Sequence, residues 1–215
     1  TFFLMDTVVE LPAQASRNNA EQALHAACAE LKRIEHAFGY EASLITELNA
    51  IHTIRDAEAH ALVRTALAIG TASRGGFDIT LKPMLEAWGF TPHTHRHVPD
   101  RQAFEHWQCM QGKPGVHLGH DGRTVTTDPA VQVDLGGITK GYAADRAALT
   151  MRTQGVRTGL VNAGGDIATF GSRTWRIGIK HPRGSSVIAT IPIRGRAIAT
   201  SGDYERFFFE GKNRY

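Results

Sequence analysis

Lys140 follows the glycine pair Gly136-Gly137 within the stretch VQVDLGGITKGYAAD, residues 131–145, and these residue types suit an anion. Glycine lets a chain turn tightly and lets another group come close to the backbone. A turn that feeds a helix presents backbone N–H groups to a phosphate, and an ammonium within that first helical turn adds positive charge. The spacing matches neither GxxxxGK[ST] nor GxGxxG, so the pattern alone leaves two readings open. One is a phosphate or pyrophosphate site; the other is a glycine turn leading into a packed helix with an exposed lysine. Two later stretches pose the same choice. Asn162, Gly164, Gly165 and Asp166 form a small, polar turn that either touches a ligand or is a tight β-turn stabilised by Asp166. Thr200-Ser201-Gly202-Asp203 reads as an anion loop or a plain turn.

The elements that must position these groups are legible from periodicity. Val131, Val133 and Leu135 alternate with Gln132 and Asp134, which predicts a strand with one buried face, and the helix is expected from Ile138 onward. Ala144, Ala147, Ala148 and Met151 fall on one helical face, and Gly155 stands where a C-terminal cap belongs. Asp145 lies on the same helix face as Tyr142 and reads as structural. Upstream, Phe2–Leu11 reads as a strand, and residues 18–38 as an amphipathic helix burying Leu24, Ala27, Cys28, Leu31, Ile34 and Phe38. Tyr40–Asn49 is short and mixed. Asp56 caps a helix to about Arg74, ended by Gly75-Gly76. Asp78 has the position of a cap for the next turn, and Trp88-Gly89-Phe90 reads as core packing. His93, His95 and His97 alternate as zinc or copper ligands would on a strand, but prolines bracket them, which favours a solvated loop. Asp100 starts a helix to about Met110 that packs Phe104 and Trp107, and His120-Asp121-Gly122 marks a hairpin. Gly159–Asn162, Ile167–Phe170, Trp175–Lys180, Val187–Ile193 and Ala197–Thr200 then read as strands. Helices mainly first and strands mainly afterwards predict an α+β chain rather than alternating βαβ units.

The block VDLGGITKGYAAD (133–145) resembles the signature of the ApbE-type FAD:protein FMN transferase family. LVNAGGDIATFG (160–171) and AIATSGDYERFF (197–208) are similar to that family's following blocks, in the same order. GGFDITLKPMLEAWGF (75–90) and SLITELN (43–49) resemble its preceding ones. The resemblance implies mixed or antiparallel sheets with packed helices, in two interleaved lobes around a flavin-nucleotide cleft. It implies transfer of FMN from FAD to a threonine hydroxyl of a partner flavoprotein, with release of AMP. Cofactor-binding positions implied are Met5, Tyr40, Ser43, Asn49, Asp78, Gly136, Gly137, Lys140, Gly164, Gly165, Asp166, Ser201 and Gly202. Tyr40 would stack on the flavin ring. Met5 stands in Met5-Asp6-Thr7, where the family has M-G-T, so a carboxylate replaces a glycine there. Lys140 would hold charge on the reacting pyrophosphate, and the Thr139 carbonyl would join the ligands of a Mg2+ ion. The family's later blocks, H-I-x-D-P-x-x-G and the acidic metal ligand, are expected beyond Tyr215, and the chain reads as one transferase-like domain cut at its C-terminus. The hairpin begun at Phe207–Phe209, with only Asn213–Tyr215 as its return arm, leads to the same expectation. A flavin- or FAD-binding module without transferase chemistry is the other reading of the same blocks.

Composition bounds the rest. At 215 residues and a net charge of +3, with scattered basic residues and no basic run interleaved with aromatics, no nucleic-acid surface is expected. Cys28 and Cys109 belong to no CxxC pair, and their distance decides whether they bond. No apolar run has transmembrane length, and residues 1–215 do not read as containing a charged-then-apolar secretory leader. Export to the periplasm, often with a lipid anchor upstream, is implied by the resemblance alone. The acceptor protein and the oligomeric state are not legible.

Overall fold

The computed structural model describes residues 2–4, 7–14, 17–102, 104–105, 115–202 and 207–215. Met5, Trp107, Cys109, Met110 and Asp203, which carry expectations above, lie outside the described residues. The chain divides into two compact units, each built from separate stretches of sequence. The first comprises Thr1–Glu35 and Thr139–Phe207, the second His36–Ile138 and Phe208–Tyr215. Every strand pairing among the described residues is antiparallel, and together with the helices this makes the expected α+β chain.

The first unit holds a six-stranded sheet. Phe2–Leu11 is not one strand: β1 (Phe2–Leu4) and β2 (Thr7–Glu10) fold back on each other, with Phe2 opposite Val9. The period-2 pattern runs through both arms and cannot show a reversal between them. β3 (Ala13–Gln14) pairs with β7 (Thr158–Ala163), which also pairs with β2 and with β8 (Asp166–Phe170); β11 (Ala197–Ile198) closes the sheet against β8. Among the strands whose burial is described, β7 and β8 are the most buried, with consecutive positions buried and so both faces covered. β9 (Trp175–Lys180) and β10 (Val187–Ile193) make a separate two-stranded ribbon. Leu160, Ile167 and Ile193 form a cluster covered by Trp175, Ile177 and Ile198. Helix α1 (Arg17–Phe38) buries Ala23, Ala27, Leu31 and Ile34 at helical spacing, while Leu24 and Cys28 are half-buried. Burial pushes the Cys28 thiol up from its ordinary value.

In the second unit, β4 (Thr53–Arg55), β5 (Val116–Leu118) and β6 (Thr124–Thr127) form a three-stranded sheet, and the expected turn at residues 120–122 joins β5 to β6. Asp121 closes that turn by accepting from the Arg123 and Thr124 N–H groups. Tyr40–Asn49 holds more order than its mixed composition indicated. Ser43 and Thr46 form a reciprocal capping box for α2 (Leu44–Ile51), a signal present in the spacing. Asp56 caps α3 (Ala57–Ala72) as expected, its Oδ1 accepting from the Ala59 N–H at 2.8 Å. After α4 (Lys82–Ala87), Trp88 and Phe90 pack against Phe208, and Trp88 against Tyr215. The last hairpin, β12 (Phe209–Glu210) with β13 (Asn213–Arg214), turns at Gly211. His93, His95 and His97 are exposed and outside regular structure, as the flanking prolines indicated. Phe104, expected to pack, is 40% exposed.

Residues 131–135 alternate buried and half-buried as a strand would, but among the described residues no strand pairs with them. Long-range polar contacts replace the ladder. Helix α5 (Gly136–Thr153) also starts two positions earlier than Ile138. It buries Thr139, Ala143, Ala144, Ala147, Ala148 and Met151, and ends at Gly155, which has φ +83°. The Gly155 N–H donates to the Arg152 carbonyl and the Val156 N–H to that of Met151, closing the helix by a Schellman motif.

Candidate functional site

In the second unit the glycine turn is assembled by side chains that are themselves satisfied. Asn49 clamps the extended stretch: its amide donates to the Val133 carbonyl at 2.8 Å and accepts from the Val133 N–H at 2.7 Å. The Asp134 N–H donates to the Ile79 carbonyl, and the Asp134 carboxylate accepts from the Gly136 N–H at 2.8 Å. The Ile138 N–H donates to the Leu135 carbonyl. Two of the N–H groups expected to face an anion are therefore committed within the chain. A carboxylate at a helix N-terminus is favourable, and here it is Asp134, so an incoming anion meets that charge. The glycines answer to close approach. A Cβ on Gly137 would lie 2.9 Å from the Phe77 ring, and one on Gly136 would lie 3.0 Å from Asp134 Oδ1 and 3.7 Å from the Tyr40 hydroxyl. The structure thus brings Tyr40, Gly136 and Gly137 together, with Phe77 and Asp134 as neighbours the sequence reading missed.

Two further expected ligands in this unit have their polar atoms engaged locally. The Ser43 hydroxyl donates to the Gly39 carbonyl and accepts from the Thr46 N–H. Asp78 Oδ1 accepts from both the N–H and the hydroxyl of Thr80. Both positions shape the backbone around the turn.

The first unit presents the opposite arrangement. Gly164 and Gly165 form the two-residue turn between β7 and β8, with φ +65° and +98°, values that require glycine or its few mimics. The turn is fastened by Asn162, whose Oδ1 accepts from the Gly165 N–H, and not by Asp166. A Cβ on Gly165 would fall 2.6 Å from the Thr200 hydroxyl, so that turn and the start of the exposed Thr200-Ser201-Gly202 segment lie side by side. Among the described residues, the side chains of Lys140, Asp145 and Asp166 make no hydrogen bond or close ion pair. Burial pushes the Asp166 carboxyl up from its usual range, and the nearby Lys140 ammonium draws it part of the way back. Burial likewise raises Asp145. Asp166 and Asp145 line a cavity of about 200 Å³ together with Gly141 and Ala144 of α5, Ala168 of β8 and residues 197–199. Asp145, read as structural from sequence, stands on the cavity wall. The signal for it was present, since Asp145 shares one helical face with the small residues Gly141 and Ala144.

Magnesium requires oxygen ligands in near-octahedral array, usually with one or two carboxylates. Thr139 is 7% exposed on the buried face of α5. Among the described residues no group of three or more His, Cys, Asp or Glu side chains is placed to hold a metal ion. Those residues alone do not fit a magnesium site. No described helix is long and apolar enough to cross a membrane.

Comparison with known proteins gives a consistent result. The sequence profile of the ApbE family matches residues 5–215. A FAD:protein FMN transferase of Rhodobacter capsulatus is 32% identical over 228 residues, covering 100% of this chain and 43% of its own length. The enzyme of the same name from Escherichia coli K12 is 32% identical over 165 residues, covering 70% of this chain and 46% of its own. The chain thus spans less than half the length of these two relatives. The crystal structure of an ApbE protein from Thermotoga maritima superposes with a TM-score of 0.92 at 34% identity, covering 100% of this chain and 73% of that one. The apo flavinyl transferase ApbE of Pseudomonas stutzeri shares the fold at 24% identity, with a TM-score of 0.78 over 97% of this chain and 72% of its own. On the profile match and the identity to its relatives, this chain belongs to the ApbE family.

Proposed function

We propose that the protein transfers FMN from FAD to a threonine hydroxyl of a partner flavoprotein and releases AMP. The hydroxyl oxygen forms a bond to the phosphorus of the FMN half and gives up its proton to solvent. The bond from that phosphorus to the bridging oxygen breaks, and AMP departs with that oxygen. Such a displacement asks the protein for position and for positive charge where charge spreads over phosphate oxygens. Lys140 suits the second task, because its half-buried ammonium is not tied up in an ion pair. Tyr40, beside Gly136, suits stacking on a flat ring.

The observation that carries this reading is the uncommitted Lys140–Asp166 combination beside a cavity, in a chain whose relatives bear the transferase name. Magnesium dependence belongs to the reading through the family resemblance. The described residues alone do not form its site. An exported location rests on the resemblance in the same way.

The test is incubation of the protein with FAD, magnesium and an acceptor domain carrying the target threonine. Covalent flavin on the acceptor, seen as fluorescence that survives denaturing electrophoresis, with AMP formed in equal amount, is the expected result. Tight FAD binding without labelled acceptor would replace the enzyme by a flavin-binding module.

A further inference from the structure

The β9–β10 ribbon of the first unit gathers charge of one sign. No Asp or Glu stands between residues 167 and 202, while Arg173, Arg176, Lys180, Arg183, Arg194 and Arg196 all do. Arg176 and Lys180 lie along β9, Arg183 in the turn that joins it to β10, and Arg173 and Arg194 at the root of the ribbon. Residues paired across antiparallel strands share a face, so Arg176 and Lys180 stand on the same face as their partners Pro192 and Val187. Gly178 lies between them, and a Cβ there would come 3.3 Å from both methyl groups of Val187. Val187 is 61% exposed, and Ile188, in the bulge beside it, is 58% exposed. The other face is anchored, since Trp175 and Ile177 pack on Leu160, Ile167 and Ile193. The outward face therefore sets two aliphatic side chains in water among cations.

We propose that this face docks on an anionic lipid surface. Val187 and Ile188 enter the boundary between head groups and acyl chains, while Arg176, Lys180 and Arg183 meet lipid phosphates. Other occupants fit the face less well. β10 is a poor template for a further strand, because Pro192 lacks an N–H and the bulge between Val187 and Ala189 shifts the register. Arg176 and Lys180 guard the edge of β9 in the same way. Sheet extension by a second copy or by a peptide is thus disfavoured. A nucleic acid would take the cations and leave the aliphatic side chains in water. Trp175, with the Arg173 guanidinium carbon 4.2 Å from its ring centroid, is packed on the core and not offered to a base. This docking does not depend on the transfer chemistry.

Flotation with phosphatidylcholine vesicles, with and without phosphatidylglycerol, is the test. The protein should float with the anionic vesicles alone, and less so as salt is raised. Each cation at an anionic surface is worth roughly fivefold in binding, so Arg176→Gln combined with Lys180→Gln should weaken it roughly tenfold or more. Ile188→Asp should do the same, and Ile188→Leu should bind as the parent does. None of these exposed positions should lower the melting temperature appreciably. No flotation, equal flotation with neutral vesicles, or unchanged flotation of the folded Ile188→Asp protein overturns the proposal. A dimer in sedimentation velocity that Ile188→Asp dissolves, without vesicle binding, would assign the face to a second copy. Capture by polyglutamate without vesicle binding would assign it to an acidic protein, and either result overturns lipid docking. Trypsin cleavage of the parent keeps the proposal falsifiable if the variants do not fold. Anionic vesicles, compared with neutral ones, should slow cleavage after Arg183 in the exposed turn. Vesicle-bound protein cut there at an unchanged rate would overturn the proposal.

Discussion

The glycine turn of the second unit and the cavity of the first are both rich in glycine and carboxylate, yet their polar groups are used in opposite ways. Around Gly136 each carboxylate or amide has a partner. Asn49 holds Val133, Asp134 holds the Gly136 N–H, and Asp78 holds Thr80. Around Gly141 the side chains of Asp145, Asp166 and Lys140 make no hydrogen bond or close ion pair among the described residues, although Lys140 acts on the charge of Asp166. Satisfied groups set geometry, and a polar group half-buried without a partner costs free energy unless a ligand supplies one. The turn is thus a satisfied, rigid arrangement within the second unit, and the cavity wall a receptive one within the first.

The sharpest way to break this comparison is Asn49→Ala. It strips the Val133 N–H and carbonyl of their partners at once, at a cost of about 2–4 kcal/mol, since each buried orphan costs about 1–3 kcal/mol. Chemical denaturation should show that loss, with Asn49→Asp intermediate because it keeps the acceptor and loses the donor. A change within about 0.5 kcal/mol would mean that the clamp does not hold the turn.

Lys140→Ala should do the reverse. FAD binding or turnover falls by roughly 10–100-fold, the scale of losing one charge-assisted contact, while the melting temperature stays nearly constant. A destabilised protein with intact FAD binding would place Lys140 in the scaffold.

Two carboxylates of the first unit sharpen the contrast by pH. Glu30, held by Arg33 and by Arg146, has its carboxyl lowered to about 2. Its stabilising contribution is present above the ordinary carboxylate range and is lost as pH falls from there toward about 2. With both arginines over 40% exposed, solvent screening reduces it, and Glu30→Gln should cost about 1–2 kcal/mol at neutral pH and almost nothing in strong acid. Asp166 carries the opposite sign. Its raised carboxyl stabilises the fold relatively in acid and that contribution is lost as pH rises through its folded value. Asp166→Asn should therefore raise stability at neutral pH by a small amount, under about 1 kcal/mol, and the gain should vanish in acid. Thermal melts of both variants across the acid range read the two signs directly, and a loss of stability for Asp166→Asn at neutral pH would show that its carboxylate is paired after all.

Much of this molecule was determined by short-range pattern. The buried face of α5, its Gly155 terminus, the Asp56 cap and the β-strands from residue 158 to 198 depend on side chains a few positions apart, and periodicity records them. Gly75-Gly76 and Gly164-Gly165 were also visible as turns, whereas Gly136-Gly137 became the first residues of α5. What only the tertiary structure decided is which polar groups remain free. Asp78, Asp134, Asp145 and Asp166 look alike in sequence, and two became internal acceptors while two were left on a cavity wall. Residues 131–135 alternate as a strand does, yet Asn49, 84 positions away from Val133, supplies what a neighbouring strand would have supplied. A side chain's partner is chosen by the packing of distant segments, and no local spacing encodes that choice.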